Sequence, residues 1–163
     1  MWKLVLAIVV LLALIVGSVI NYMGCNQGKT TEAYLREGFI KFQEQDYDGA
    51  IRNYEKAMAL GAKSPNAHNM LGLAYRCKFQ QTHDPKMVES EIINFQKAVE
   101  IDPNYWAAML NLGTTYYTQG DKVKAAVWLK KALELNPQHP ERALYEKMIA
   151  EGVPPPPKKP YGR

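Results

Sequence analysis

Cysteine is scarce in this chain: two residues in 163, Cys25 and Cys77. Neither belongs to a CxxC pair, so the spacing excludes a zinc ribbon, a redox dithiol or a haem attachment. Cys77 falls within a helical pattern and reads as a small packed side chain. Histidine is scarce too. His68, His83 and His139 stand far apart, and none sits one helical turn from another ligand-type residue, so no metal is expected. No GxSxG, HExxH, P-loop or paired-carboxylate arrangement occurs, which leaves no enzyme to read and calls for no cofactor. Asp46 and Asp48, on either side of Tyr47, suit a turn and a helix cap rather than an acid pair. A surplus of charge is also missing where a nucleic-acid groove would need it. The net charge is +4, but Lys3, Lys158, Lys159 and Arg163 account for all of it. From Lys29 to Glu151 the signs balance, so nucleic acid is not an expected partner.

What is present begins with a long apolar run. "MWKLVLAIVVLLALIVGSVINYMGC" opens the chain, and Leu4 to Ile20 carries no charge. Continued to Met23 it gives about 20 residues, or roughly 30 Å of helix, the thickness of a bilayer's hydrocarbon core. Trp2 and Lys3 at one end and Tyr22 at the other suit the two interfaces. Residues 1–24 therefore read as a single-pass transmembrane signal anchor, with the membrane as partner along residues 4–23 and 25–30 as linker. Two alternatives stand beside it. A cleaved signal peptide would want a shorter apolar stretch and a small-x-small site. Lipoprotein processing would use Cys25, which directly follows Gly24. Lys3 and the α-amino group precede the span, whereas no charge follows until Lys29. The positive-inside tendency then places the following domain outside the cytoplasm, with a bacterial inner membrane as the expected location.

Beyond the linker the sequence repeats itself. "LNLGTTYYTQG" (110–120) puts Gly113 inside a helical pattern, where glycine costs about 1 kcal/mol relative to alanine. "HNMLGLAY" (68–75) has the same Leu-Gly-x-x-Tyr spacing around Gly72. Aligning 106–137 with 31–60 superposes Gly113 on Gly38, Asp121 on Asp46, Ala125 on Ala50 and Ala132 on Ala57. Gly72 and Ala98 take the corresponding places between them. Three helix-turn-helix units follow, with a period of roughly 34 residues and a second unit about seven residues longer. Each glycine is expected at a close crossing of two helices, Gly113 against Ala125 and Ala132, with Leu112, Tyr116 and Leu129 around it. Pro103 and Pro137 should stop the second helices.

The third unit's Leu112, Gly113, Tyr116, Ala125, Ala132, Leu133 and Pro137 resemble the tetratricopeptide repeat (TPR) family. The second supplies Leu71, Gly72, Tyr75, Phe95, Ala98 and Pro103, with Glu91 in place of alanine. The first supplies Gly38, Ala50, Tyr54 and Ala57, with Glu37 and Lys41 where apolar residues are usual. The resemblance implies an all-α helix-turn-helix solenoid over 31–152, with repeats at about 31–64, 65–105 and 106–139.

Glu37 and Lys41 suit a terminal repeat, whose outer face has no neighbour. At the other end "PERALYEKMIAEG" reads as a capping helix over 140–151. Pro140 would sit in its first turn, and Ala143, Leu144, Met148 and Ile149 would cover the third unit. Asp84-Pro85 gives a cap and a first helical residue to a long helix running to Ile101. Its protruding end, with residues 78–90, is either a tolerated insertion or a contact. The tail 153–163, "VPPPPKKPYGR", favours polyproline II, as a partner-docking segment or a plain terminus.

Similarity to the family places a protein-binding groove on Leu35, Phe39 and Phe42, then Asn69, Leu73 and Arg76, then Leu110, Thr114 and Tyr117. Some members hold a peptide carboxylate with Lys and Asn, where this chain has Leu35 and Phe39. An apolar helix or extended segment of another protein is the partner expected instead. The function expected is a membrane-anchored scaffold assembling or stabilising a membrane complex. The alternative is a stoichiometric accessory subunit held through its membrane helix, insertion or tail.

Overall fold

The computed structural model describes residues 29–153 and Trp2. The apolar run at 4–23, Cys25 and residues 154–163 lie outside the described residues. Contacts divide the chain into two units, Met1–Thr30 and Thr31–Arg163. The second holds seven helices and, among the described residues, no strand: α1 Thr31–Gln43, α2 Tyr47–Ala59, α3 Pro65–Thr82, α4 Pro85–Ile101, α5 Trp106–Thr118, α6 Lys122–Leu135 and α7 Arg142–Gly152. Each packs on its neighbours in sequence, in an array of three hairpins closed by α7. Among the described residues no helix is long and apolar enough to cross a membrane.

Local chemistry sets the boundaries. Asp46 and Asp121 cap α2 and α6 by accepting from the backbone N–H three residues on. Ser64 and Asp84 cap α3 and α4, each followed by a proline at the first helical position, where no N–H is lost. Gln45 (φ 61°) and Gly120 (φ 83°) take the left-handed conformation in the matching turns after α1 and α5.

The core runs through three clusters, each where one hairpin meets the next element: α2 with α3, α4 with α5, and the third hairpin with α7. Ala50, Tyr54, Leu71 and Ala74 form the first, Phe95, Ala98, Ala108 and Leu112 the second. Met109, Leu110, Leu129, Ala132, Leu133, Tyr145 and Met148 form the third. Tyr54, Phe95, Leu112 and Leu129 are the largest fully buried side chains. Three of them explain the glycines. A Cβ added at Gly38 would come within 2.9 Å of the Tyr54 ring, at Gly72 within 2.6 Å of the Phe95 ring, and at Gly113 within 2.5 Å of Leu129 Cγ. The glycines serve packing, but their counterparts are not the alanines the sequence suggested. Each glycine is the notch for one large side chain from the partner helix, the arrangement that leaves least empty volume at a close crossing.

Two further expectations change. The longer second unit does not extend α4 alone: α3 has 18 residues and α4 has 17, against 13 in α1, α2 and α5. A hairpin grows in both arms because an extension of one helix would leave its apolar side uncovered. The closing helix begins at Arg142, after Pro140. It buries Tyr145, Met148 and Gly152, while Leu144 is 52% exposed. Tyr145, Met148 and Gly152 are spaced by three and four residues and share one face, while Leu144 points about 100° away from Tyr145.

Candidate functional site

α3, α4 and α5 converge on a buried polar network. Glu91, on α4 at a position the pattern would fill with alanine, is 2% exposed. Arg76 Nε on α3 donates to Glu91 Oε1 at 2.7 Å, and the Thr115 hydroxyl on α5 lies 2.6 Å from the same oxygen. Arg76 also donates to Asn111 Oδ1 through Nη1 (3.0 Å), and through Nη2 to the Asn111 carbonyl (3.0 Å) and Thr115 Oγ1 (2.9 Å). Asn111 Nδ2 donates to Asn69 Oδ1 at 2.8 Å, which returns the network to α3. The guanidinium also lies over the Phe95 ring, 5.1 Å from its centroid. Arginine's fixed fork can satisfy a carboxylate, an amide and a hydroxyl at once, which a lysine could not. A lone carboxylate so buried would be costly; paired and bonded it fixes the register of three helices.

Above the network lies a cleft of about 390 Å³, lined among others by Arg76, Glu91, Thr114, Thr115 and Thr118. Phe79, Val88 and Gln119 are shared with an adjoining cleft of about 360 Å³, whose other walls are Pro85, Glu89, Ile92 and Ile93. The lengthened α3–α4 hairpin builds this wall by rising past the α5–α6 turn at Gln119.

The nine residues placed in a groove have unlike surroundings. Leu35 and Phe42 pack on the first core cluster, Phe42 edge-on to Tyr47 at 5.6 Å, whereas Phe39 is 49% exposed. Asn69 is buried in the polar network, Leu73 rests on the second cluster, and Arg76 and Thr114 line the larger cleft. Leu110, 6% exposed, and Tyr117 pack into the cluster that α7 closes. Asn69, Arg76 and Thr114 are brought together through Asn111, to whose carbonyl the Thr114 hydroxyl donates at 2.9 Å. Sequence reasoning passed over Asn111 and Thr115 and marked Glu91 only as a departure; a buried acid facing an arginine 15 residues away was the available signal.

α7 is tied down at its far end. Glu151 Oε2 accepts from the Tyr117 hydroxyl (2.7 Å) and from Lys122 Nζ (2.8 Å). The Lys122 bond, then the Tyr117 bond, hold the Glu151 carboxyl below its usual range, and the same carboxylate pushes Lys122 and the Tyr117 phenol up. At the near end His139 lies between Trp106 and Tyr145, with ring centroids 5.7 and 5.2 Å away, and its Nδ1 accepts from the Glu141 N–H. The Tyr145 hydroxyl donates to Glu141 Oε2 at 2.9 Å; burial, then this bond, push its phenol up to about 12.

Cys77 is half-buried, and burial pushes its thiol up, the reverse of an activated nucleophile. Among the described residues no three ligand-type side chains gather as a metal would require.

Comparison with known proteins agrees with this geometry. Residues 38–76 match the family described as TPR repeat, and residues 78–152 match the family described as Regulator of microtubule dynamics protein 1-3. Protein O-mannosyl-transferase TMTC1 of Mus musculus is 24% identical over 117 residues, which are 72% of this chain and 12% of that protein. The chain thus spans about an eighth of that relative. Among solved structures, the Arabidopsis OM64 TPR domain superposes with a TM-score of 0.65 at 20% identity, over 76% of this chain and 97% of that one. The first TPR of Spaghetti (RPAP3), bound to an HSP90 peptide, also gives 0.65, at 21% identity over 75% and 91%. The all-helical array of residues 31–152 has the TPR fold.

Proposed function

We propose that this chain is a protein-binding scaffold rather than an enzyme, and that its TPR-fold domain takes an apolar segment of another protein along the first helices of its hairpins. The observation that supports it most directly is Phe39, which with Ile40 leaves two large apolar side chains of α1 about half exposed. A similar fold holds a peptide in the RPAP3 complex. Leu35, Phe42, Asn69, Leu73, Arg76 and Thr114 complete the proposed surface. Leu110 and Tyr117 lie in the cluster that α7 closes and support that surface from behind rather than forming part of it.

The apolar run at 4–23 supports a second part of the reading: the domain is tethered to a membrane, where it assembles or stabilises a protein complex. Lys3 before that run favours the extracytoplasmic side of a bacterial inner membrane. Lipidation at Cys25, and an accessory subunit held through its membrane segment, are the competing forms of the same tether.

The test uses the full chain extracted in mild detergent. Phe39→Ala should abolish recovery of the partner proteins that accompany the unaltered chain, while thermal unfolding stays unchanged because Phe39 carries little of the core. Undiminished recovery would sink groove binding. Exchanging residues 4–23 for an unrelated membrane helix separates the alternatives: loss of the partners then favours the accessory subunit.

A further inference from the structure

The paired clefts beside the α3–α4 hairpin are rich in hydrogen-bond acceptors and short of donors. Glu91 is 2% exposed and lines the larger one. Its Oε1 is engaged by Arg76 and Thr115, but Oε2 has no hydrogen-bond partner among the described residues. That oxygen is not sealed in either: among the described residues, only the Tyr54 hydroxyl is a fully enclosed side-chain polar atom without a partner. The Thr114 and Thr118 hydroxyls donate to carbonyls of their own helix, at Asn111 and Thr115, so lone pairs are what they have left to offer. Arg76 spends its guanidinium on Glu91, Asn111 and Thr115. At the rim of the smaller cleft, Glu89 is exposed and makes no ion pair among the described residues.

The remaining wall is apolar. Pro85, Val88 and Ile92 recur at helical spacing on α4, joined by Phe79 of α3 and by Ile93, which is 42% exposed. The stripe is open because α5 is too short to cover it. Thr115 meets Glu91, and α5 stops three residues later at Thr118, whereas α4 reaches back six residues from Glu91 to Pro85.

We propose that this shelf takes a short extended segment of another protein in which a Lys or Arg stands beside a bulky aliphatic residue. The aliphatic side chain lies on Phe79, Ile92 and Ile93. The cation pairs with Glu89, the one carboxylate here that lacks a counter-charge. Glu91 already has its counter-charge in Arg76, so Oε2 calls for a neutral donor, and a backbone N–H of the segment supplies it. An extended backbone has such N–H groups free, whereas a helix spends them internally. The clefts, about 390 and 360 Å³, fall within the range of about 300–1,000 Å³ usual for binding sites. The proposal rests on the reading of the domain as a protein-binding scaffold, but not on Phe39, which lines neither cleft.

A displayed random-peptide library tests it, panned on the full chain in mild detergent and depleted on the double variant Ile93→Gln, Glu89→Lys. Both side chains are exposed, so the variant should keep the thermal unfolding of the unaltered chain. The expected survivors carry Lys or Arg next to Leu, Ile or Val. By fluorescence anisotropy their affinity should fall roughly tenfold in Ile93→Gln, the factor that 1.4 kcal/mol of lost contact gives. Added salt should weaken binding to the unaltered chain, and less so to Glu89→Gln. Phe39→Ala should leave binding unchanged. No survivors, survivors without a basic residue, or a salt dependence that Glu89→Gln does not alter overturns the proposal. So does binding that Phe39→Ala abolishes and Ile93→Gln spares, which would return the partner to the first helices and leave the scaffold reading standing.

Discussion

Gly72 and Gly120 are both glycines for steric reasons, but the reasons are opposite. At Gly72 the backbone is helical and the space is taken, by a Phe95 ring 2.6 Å from where a Cβ would stand. At Gly120 the space is open but φ is +83°. Gly72→Ala should therefore destabilise by about 1–3 kcal/mol through overpacking, and Gly120→Ala by about 1–2 kcal/mol through backbone strain. Urea midpoints measure both. They diverge in a Phe95→Leu background, which should relieve the first and leave the second untouched; equal rescue would disprove this division. Tyr54 shows what the notch arrangement can cost. Its ring fills the space at Gly38, yet its hydroxyl is buried with no hydrogen-bond partner among the described residues, and burial pushes the phenol up to about 12.

At the scale of elements, two polar ties do what apolar packing alone does not. The Arg76–Glu91 pair joins α3 to α4 and, through Thr115 and Asn111, to α5. Arg76→Met should keep the volume but strand a carboxylate whose side chain is 3% exposed, at a cost of about 3 kcal/mol. Replacing Glu91 by Leu in the same variant removes the stranded charge and should recover most of that loss, as urea midpoints would show. No recovery would show that Glu91 is not the group responsible.

The tie at the end of α7 depends on pH. Glu151 is held below its ordinary 4.5 by Lys122 and Tyr117, so its contribution is present above that value and is lost as pH falls through its folded pKa. Protection of the α7 amides, taken relative to intrinsic exchange at the same pH, should fall at acid pH in the unaltered chain. Glu151→Gln should show the lowered protection already at neutral pH and little further change on acidification.

For the whole domain, contacts run between neighbouring helices, with a minor one between α1 and α3. Stability in such an array is close to a sum of hairpin and interface contributions, and an end without a cap exposes core. Ending the chain at Gln138 removes Tyr145 and Met148, each 8% exposed, from the third cluster. Each lost apolar side chain costs about 1.5–3 kcal/mol. The newly open face of Leu110 and Leu133 should also make the protein self-associate in a concentration-dependent way, visible by light scattering. A shortened chain as stable and monomeric as the full one would mean that α7 is an appendage rather than a lid.

The sequence by itself determined the periodic features: three helical hairpins, caps at Asp46 and Asp84, and glycines placed for close crossings. Those features rest on interactions within a few residues, or on a spacing that recurs. Tertiary structure alone decided which side chain each glycine receives, because Tyr54, Phe95 and Leu129 lie on another helix and share no one chemistry. It also decided that the extra residues lengthen both arms of the second hairpin, and that Tyr145 rather than Leu144 faces inward. The same holds for the polar network. Glu91, Arg76, Asn111 and Asn69 are far apart in the chain, and only packing three helices together gives a buried acid its donors.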